Sequence, residues 1–267
     1  MKLKYLIIIT IIITGVLIFA PGIEKKDNIQ IVGSTSIQGI CQELSEAYIR
    51  KNNNTIISVQ GGGSSVGINS VLKNSADIGM YSTDINNDKN VTATAIAKDA
   101  IVIIVNPSNP INDLSKEDLK DIYTKKKTSW KDFDGKNENI TIVSREEGSG
   151  TRKTIKTKLL NNESISSDAL IQSSTGSLIQ TVSTNPNAIG FVSLAEIRDN
   201  NVKILTIDNV KPNKESVNDG SYPLQRSFLF LTKNPEEKTS KFIEWILSPE
   251  GQKIVEKNGL IPVIWVL

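Results

Sequence analysis

The chain has 267 residues, room for one large domain or two modest ones. Lys and Arg number 31 against 29 Asp and Glu, a formal charge of +2, and aromatics make up only 5%. That balance gives no basic stripe and no stacking surface, so a nucleic-acid partner is not expected. Histidine is absent, which excludes Ser-His-Asp and Cys-His catalysis and His-ligated metals. The single cysteine, Cys41, cannot form an internal disulfide and sits in a helical apolar pattern, so a buried structural thiol is expected.

Residues 1–26 begin with Lys2 and Lys4 and an apolar run from Tyr5 to Ala20. The run is short for a bilayer span, which needs ~20 residues, and suits an export signal. Ile18 and Ala20 make a poor cleavage pair, and Pro21 follows at once. We therefore expect an export signal or an N-terminal membrane anchor over residues 5–20, with the positive end cytoplasmic and the remainder extracytoplasmic.

The first strand is expected at Ile29–Gly33, followed by a helix from Ser34-Thr35-Ser36 to about Arg50. Its Ile37, Ile40, Leu44, Ala47 and Tyr48 recur at helical spacing. A second strand, TIISVQ, ends at Gly61-Gly62-Gly63, and Ser64-Ser65 opens another helix. ADIGMYS reads as a third strand, and AIVIIVN at Ala100–Asn106 as a continuous apolar one. LSKEDLKDIYT follows as a helix with Ser115 as N-cap. NITIVS at Asn139–Ser144 is a strand and GSGTRKTIKTKLL from Gly148 a helix. SSTGSLIQTVSTNPNAIGFVSL gives a helix, a turn and a strand, and a charged loop is expected at Asp208–Gly220. SFLFLTK is a second apolar strand, and two helices broken at Pro249 close the chain. This strand–helix rhythm predicts an α/β fold with parallel strands under helices.

Three of these strand-to-helix turns share small and hydroxyl residues: GSTS at 33–36, GGGSS at 61–65 and GSGT at 148–151. A helix N-terminus leaves backbone N–H groups free and carries about half a positive charge. Hydroxyls add donors there, and glycine lets the backbone approach, which suits small anions. Capping alone explains any single turn. Three together, at strand ends where open α/β sheets place ligands, point to an anion site.

Enzyme readings fail on composition. Gly63-Ser64-Ser65-Val66-Gly67 matches a hydrolase nucleophile pattern, which requires a histidine base. No glycine is followed directly by Lys-Ser or Lys-Thr, so no phosphate-cradling nucleotide loop is present. Asp84, Asn86, Asn87 and Asp88 lack the frame of a calcium loop and read as solvated. Neither metal nor cofactor is expected; the profile is that of a receptor.

The segment IVGSTSIQGICQELSEAYIRKNNNTIISVQGGGSSVGINSVLKNSADIGMYS resembles the first lobe of phosphate-binding proteins of phosphate ABC transporters. The resemblance continues through IVIIVNPSNPI, IVSREEGSGTRKTI, NPNAIGFVSL, YPLQRSFLFLTK and SPEGQKIVEKNGLIPV, from about residue 29 to the end. It implies a two-lobed periplasmic-binding fold of type II, each lobe a mixed sheet flanked by helices, with the ligand in the cleft and hinge closure around it. The lobes would be 27–101 with 226–267, and 102–225, joined through AIVIIVN and SFLFLTK. The implied ligand is inorganic phosphate, held by Thr35, Ser36, Ser64, Ser82, Arg145, Ser149, Gly150 and Thr151. The implied partner is the membrane permease of an ABC transporter, served by a monomeric receptor. Another tetrahedral oxyanion (sulfate, molybdate or tungstate) or a sensor role are the alternatives.

The resemblance departs at Ser82, where several members carry an aspartate that accepts the proton of hydrogen phosphate. Asp84, a serine hydroxyl or a backbone carbonyl are the candidate substitutes. Glu146 and Glu147 either orient Arg145, repel competing anions, or are solvated charges. Trp130, Phe133, Trp245, Ile264 and Trp265 read as packing.

Overall fold

The computed structural model describes residues 26–85 and 90–263. The N-terminal apolar run, Asn86 to Asp88, Ile264 and Trp265 lie outside the described residues. Strands are β1 (Asp27–Gly33), β2 (Thr55–Gly61), β3 (Ile78–Tyr81), β4 (Thr92–Val105), β5 (Asp113–Leu114), β6 (Thr141–Arg145), β7 (Leu170–Gln172), β8 (Ala188–Ser193), β9 (Lys203–Ile204), β10 (Thr206–Ile207) and β11 (Gln225–Thr232). Helices are α1 (Thr35–Lys51), α2 (Ser64–Leu72), α3 (Lys116–Tyr123), α4 (Gly150–Lys158), α5 (Thr175–Thr184), α6 (Lys214–Asn218), α7 (Glu237–Leu247) and α8 (Pro249–Lys257).

One mixed sheet runs β2-β1-β3-β11-β4-β8-β6-β7, with β9 on β4, and β5 and β10 form a separate pair. β1, β2 and β3 are parallel, as are β6, β7 and β8. β4 and β11 run antiparallel between these two sets. The first part of β4 pairs with β11 up to Ala100, and from Ile101 onward it pairs with β8. A single strand thus links the two halves of the sheet.

Two hydrophobic cores sit on either side of this junction. Ile29 and Ile31 of β1 pack with Ile37, Ile40 and Leu44 of α1, and with Phe228, Phe230 and Phe242. The second core gathers Ile101 to Val105, Trp130, Val143, Ile155 and Phe191. Tyr123 meets Phe191 edge-on at 5.6 Å between ring centroids. The expected packing residues behave accordingly: Trp130 is buried against Phe133, and Trp245 stacks with Phe242 and meets Tyr48 edge-on. Cys41 is buried in the first core, and burial pushes its thiol up to about 12. Among the described residues, no helix is long and apolar enough to cross a membrane.

Two expectations need correcting. β4 starts at Thr92, eight residues before Ala100, because TATAIAKDA is a strand whose early residues are exposed. Half-polar alternation is how a strand reads when one face meets water. The Asp208–Gly220 stretch contains α6, which Asn213 caps by accepting from the Ser216 backbone N–H while the Ser216 hydroxyl accepts from Asn213 N–H. This capping box is short and polar, so no apolar period announces it.

The halves also meet behind the sheet. After β8, Leu194–Glu196 forms a 3-10 turn that brings Glu196 against α1, its Oε1 3.1 Å from where a Cβ on Gly39 would stand. Arg198 of the same segment pairs with Glu43 of α1 at 3.5 Å. Burial pushes Glu196 up to about 7, against the pull of Arg198 and Arg226 and with the push of Asp99. Between pH about 4.5 and about 7 the folded chain therefore holds a proton that the unfolded chain has released, and stability falls as pH rises across that window. Replacing Glu196 by Gln should flatten this fall. Urea midpoints of wild type and Glu196→Gln at about pH 5 and 8 test it; an equal fall in both would refute the assignment.

Candidate anion-binding site

The carboxyl ends of β1, β2, β6 and β7 each pass through a hydroxyl-rich turn into a helix. Ser34 caps α1 by accepting from Ser36 N–H. Ser149 caps α4 by accepting from Arg152 N–H, and Ser174 caps α5 in a capping box with Ser177. α2 differs: its N-cap is Gly63, at φ 88°, and no side chain caps it. That left-handed conformation favours glycine, and it leaves the Ser64 hydroxyl free of capping duty. Four helix N-termini, two from each half, converge on one place.

The hydroxyls there touch across the two halves. Ser36 Oγ lies 3.1 Å from Thr151 Oγ1 and 3.3 Å from Thr175 Oγ1. Thr35 Oγ1 is 3.2 Å from Thr175 Oγ1 and accepts from the Thr175 N–H. Ser82 N–H donates to Ser64 Oγ, and the Ser34 hydroxyl donates to Ser82 Oγ at 2.8 Å. The Ser65 N–H donates to Gly148 O at 3.0 Å, a backbone bond between the halves. Gly150 packs so closely that a Cβ on it would stand 2.4 Å from Ser64 Oγ and 2.6 Å from Ser82 Oγ. The cleft is closed on these contacts.

Arg145 ends β6 and is 2% exposed. Its Nε and Nη2 donate to the two oxygens of Glu146, both at 2.9 Å. Nε also donates to Gln172 O and Nη2 to Ser173 O, while Nη1 donates to Thr175 Oγ1 at 3.2 Å. A fork fixed on two edges presents its third nitrogen, Nη1, to the hydroxyl cluster. Glu146 therefore orients Arg145. Glu147 does not: it is exposed and pairs with Arg152.

A second arginine stands behind the cluster. Arg226 of β11 donates through Nε to Asp99 of β4 at 2.9 Å, and both side chains are fully buried. Ser193 O–H donates to the other Asp99 oxygen. Burial pushes the Asp99 carboxyl up, opposed by Arg226. Arg226 Nη1 donates to Ser82 O at 2.9 Å and to Thr151 Oγ1 at 2.7 Å.

Seven of the eight expected residues — Thr35, Ser36, Ser64, Ser82, Arg145, Gly150 and Thr151 — lie in this contact web. Ser149 is buried beside it, with its hydroxyl engaged in capping α4. Asp84 does not reach in. Its side chain is 70% exposed and sits 3.5 Å from Lys158 Nζ on the outside. Sequence reasoning missed Ser34, Thr175 and Arg226. The Ser174-Thr175-Gly176-Ser177 turn has the same make-up as the three turns it did notice. Asp99 and Arg226 each stand one residue before a strand read as apolar, Ala100–Asn106 and SFLFLTK, just outside the bounds given to them. Among the described residues no group of three or more Cys, Asp or Glu stands where it could hold a metal ion. What the arrangement offers is donors, on a doubly neutralised pair of arginines, around a buried point.

Comparison with known proteins agrees along nearly the whole chain. A model of the PBP superfamily domain matches residues 20–250. The phosphate-binding protein PstS of Bacillus subtilis is 31% identical over 252 residues, 91% of this chain and 84% of its own length. That of Borreliella burgdorferi is 28% identical over 275 residues, 97% of this chain and 99% of its own. A Clostridium perfringens substrate-binding protein assigned to a phosphate ABC transporter, solved with bound phosphate, has the same fold at a TM-score of 0.86 and 34% identity, covering 89% of this chain and 100% of that one. An ABC-type phosphate transport receptor from Vibrio cholerae gives a TM-score of 0.73 at 32% identity, over 87% and 99% of the two chains. With a two-lobed α/β fold of the type II binding-protein kind and these matches, the chain belongs to the PstS family of phosphate-binding proteins within the PBP superfamily.

Proposed function

We infer that this protein captures inorganic phosphate outside the cytoplasm and delivers it to an ABC-type permease. The observation that carries the reading is the convergence of four helix N-termini, their hydroxyls and the Nη1 of Arg145 on one buried point. We assign the ligand contacts to Thr35, Ser36, Ser64, Ser82, Arg145, Ser149, Gly150 and Thr151, and add Thr175. Hydrogen bonds to a charged group contribute ~1.5–3 kcal/mol each. A few of them reach the roughly −8 kcal/mol of micromolar binding.

We place the lobe boundaries at 101/102 and 225/226, each within a residue of where β4 changes partner, after Ala100, and where β11 begins, at Gln225. Closure then brings Thr151 and Thr175 of one lobe onto Ser36 and Thr35 of the other. Residues 5–20 serve as an export signal or as an anchor that keeps a monomeric receptor near the permease. With Asp84 turned outward, we assign the acceptor for the proton of hydrogen phosphate to a hydroxyl, Ser82 foremost. A neutral acceptor rejects a fully ionised analogue such as sulfate less strongly than a carboxylate does. That keeps sulfate as the second ligand to test.

Calorimetric titration of the full chain, held in detergent, with phosphate should show saturable binding; no heat at millimolar phosphate would sink the reading. Arg145→Ala should weaken binding roughly tenfold or more, the loss of a charge-assisted contact. Asp84→Ala should leave both phosphate affinity and the phosphate-to-sulfate ratio within about twofold, because an exposed pair contributes little; a collapse of the ratio would return the acceptor role to Asp84. Gly150→Ala should abolish tight binding while leaving the fold intact. Its Cβ would press on Ser82 C at 3.0 Å as well as on the two hydroxyls, so only the closed cleft is affected. Affinity unchanged in that variant would mean that the closed contacts are not those of the bound state.

A further inference from the structure

The Arg145 contacts leave one feature of the cleft unaccounted for: a second guanidinium, wholly buried, bonded to a ligand residue of each lobe. Arg226 Nη1 donates to Ser82 O, at the strand end of the first lobe, and to Thr151 Oγ1, at the start of α4 in the second. Its Nε is fixed by Asp99, and Asp99 by Ser193. Nη2 lies 2.9 Å from the same Asp99 oxygen yet makes no hydrogen bond of sound geometry, in a place closed to solvent. A structural ion pair alone would saturate the fork on the carboxylate. Here the fork is turned so that Nη1 reaches the hydroxyl cluster, at the expense of an unsatisfied Nη2.

A hydroxyl has one proton to give and lone pairs to receive. A charged donor at 2.7 Å occupies a lone pair of Thr151 Oγ1 and leaves its proton to point elsewhere. The remaining neighbour is Ser36 Oγ at 3.1 Å, on the ligand side. Donation from a cation also polarises the O–H, making it a stronger donor, as chains of hydrogen bonds do in low-dielectric surroundings.

We propose that Arg226 is a positioning residue for the bound anion: by donating to the Thr151 hydroxyl in the closed cleft, it turns that hydroxyl's proton onto the ligand. Arg226 stays on Asp99 whatever the lobes do, because both sit on the paired strands β4 and β11. Thr151 arrives with the second lobe. The strong donor therefore exists only after closure, so Arg226 couples closing to binding. The proposal rests on the phosphate reading above and is tested separately from it.

The test is a double-mutant cycle read by phosphate calorimetry on the full chain in detergent. Arg226→Lys keeps the charge beside Asp99 but has no fork to span Asp99 and Thr151 together. Thr151→Val removes the hydroxyl. Each single change should weaken phosphate binding about tenfold, and the double variant should be no more than about twofold weaker than either single one. Losses that multiply to about a hundredfold, or Arg226→Lys within twofold of wild type, would overturn the proposal. A purely structural arginine would lower the urea midpoint and leave the two losses independent. If Arg226→Lys does not fold, side-chain NMR of 15N-arginine decides: phosphate should shift the Arg226 Nε–H signal in wild type and not in Thr151→Val. No shift in wild type, or an equal shift in both, overturns it. Phosphate binding by wild type, which stands or falls on its own titration, distinguishes failure of this proposal from failure of the phosphate reading.

Discussion

Four helix N-termini pointing at one small buried volume is the constraint around which this molecule is arranged. Each contributes roughly half a positive charge, so together they come to about the charge of a doubly charged anion. Like ends do not gather unless something holds them. The fold holds them by giving each half a parallel set of strands whose carboxyl ends face the other half: β1 and β2 on one side, β6 and β7 on the other. The helices follow their strands after turns of one to four residues, so the positions of the dipoles are fixed by the sheet. Hydroxyls of Thr35, Ser36, Thr151 and Thr175 then interleave where the ends meet.

The same logic explains the two arginines. Neither is a bare cation: Arg145 is gripped by Glu146, and Arg226 by Asp99. A buried ion pair is often no more stabilising than apolar residues of equal volume, because desolvation offsets the attraction. Its use here is directional. Glu146 takes Nε and Nη2 of Arg145 and leaves Nη1 inward. Asp99 takes Nε of Arg226 and leaves Nη1 to the two lobes. In each case the carboxylate sets which nitrogen meets the cleft, and each sits on an element that does not move relative to its arginine.

Much of this was legible in the chain. GSTS, GGGSS and GSGT announced themselves because each follows a strand with a clear apolar run. The fourth turn, at Ser174–Ser177, escaped because β7 is three residues long and Leu170 and Ile171 are exposed, so no strand pattern led up to it. The early half of β4 escaped for a related reason: Thr92 and Ala93 face solvent, and a run that alternates weakly looks like loop. Asp84 shows the opposite error. Sequence spacing puts it two residues from Ser82, but the chain turns after Ser82 and carries it out to Lys158. Arg226 and Asp99 each stand one residue before an apolar run, Asp99 beside Lys98, so neither draws notice by itself. What no local pattern supplied was that the two strands are neighbours, with Arg226 opposite Asp99 in register.

That pairing bears on the serine at position 82. A carboxylate there would bring a third negative side chain to a site whose two cations already have partners. Next to a doubly charged ligand it would face repulsion, with both arginines already paired to carboxylates. Its backbone carbonyl is already held by Arg226, so that position is tied to the one guanidinium able to help, and that guanidinium is committed to Asp99. Serine avoids the conflict. Its hydroxyl accepts a hydrogen bond from Ser34 and keeps a lone pair for another donor, so it can accept without adding charge. On the assignment of Ser82 proposed above, a neutral acceptor and two paired arginines are one solution: the helix ends, not net side-chain charge, carry the positive potential of this cleft.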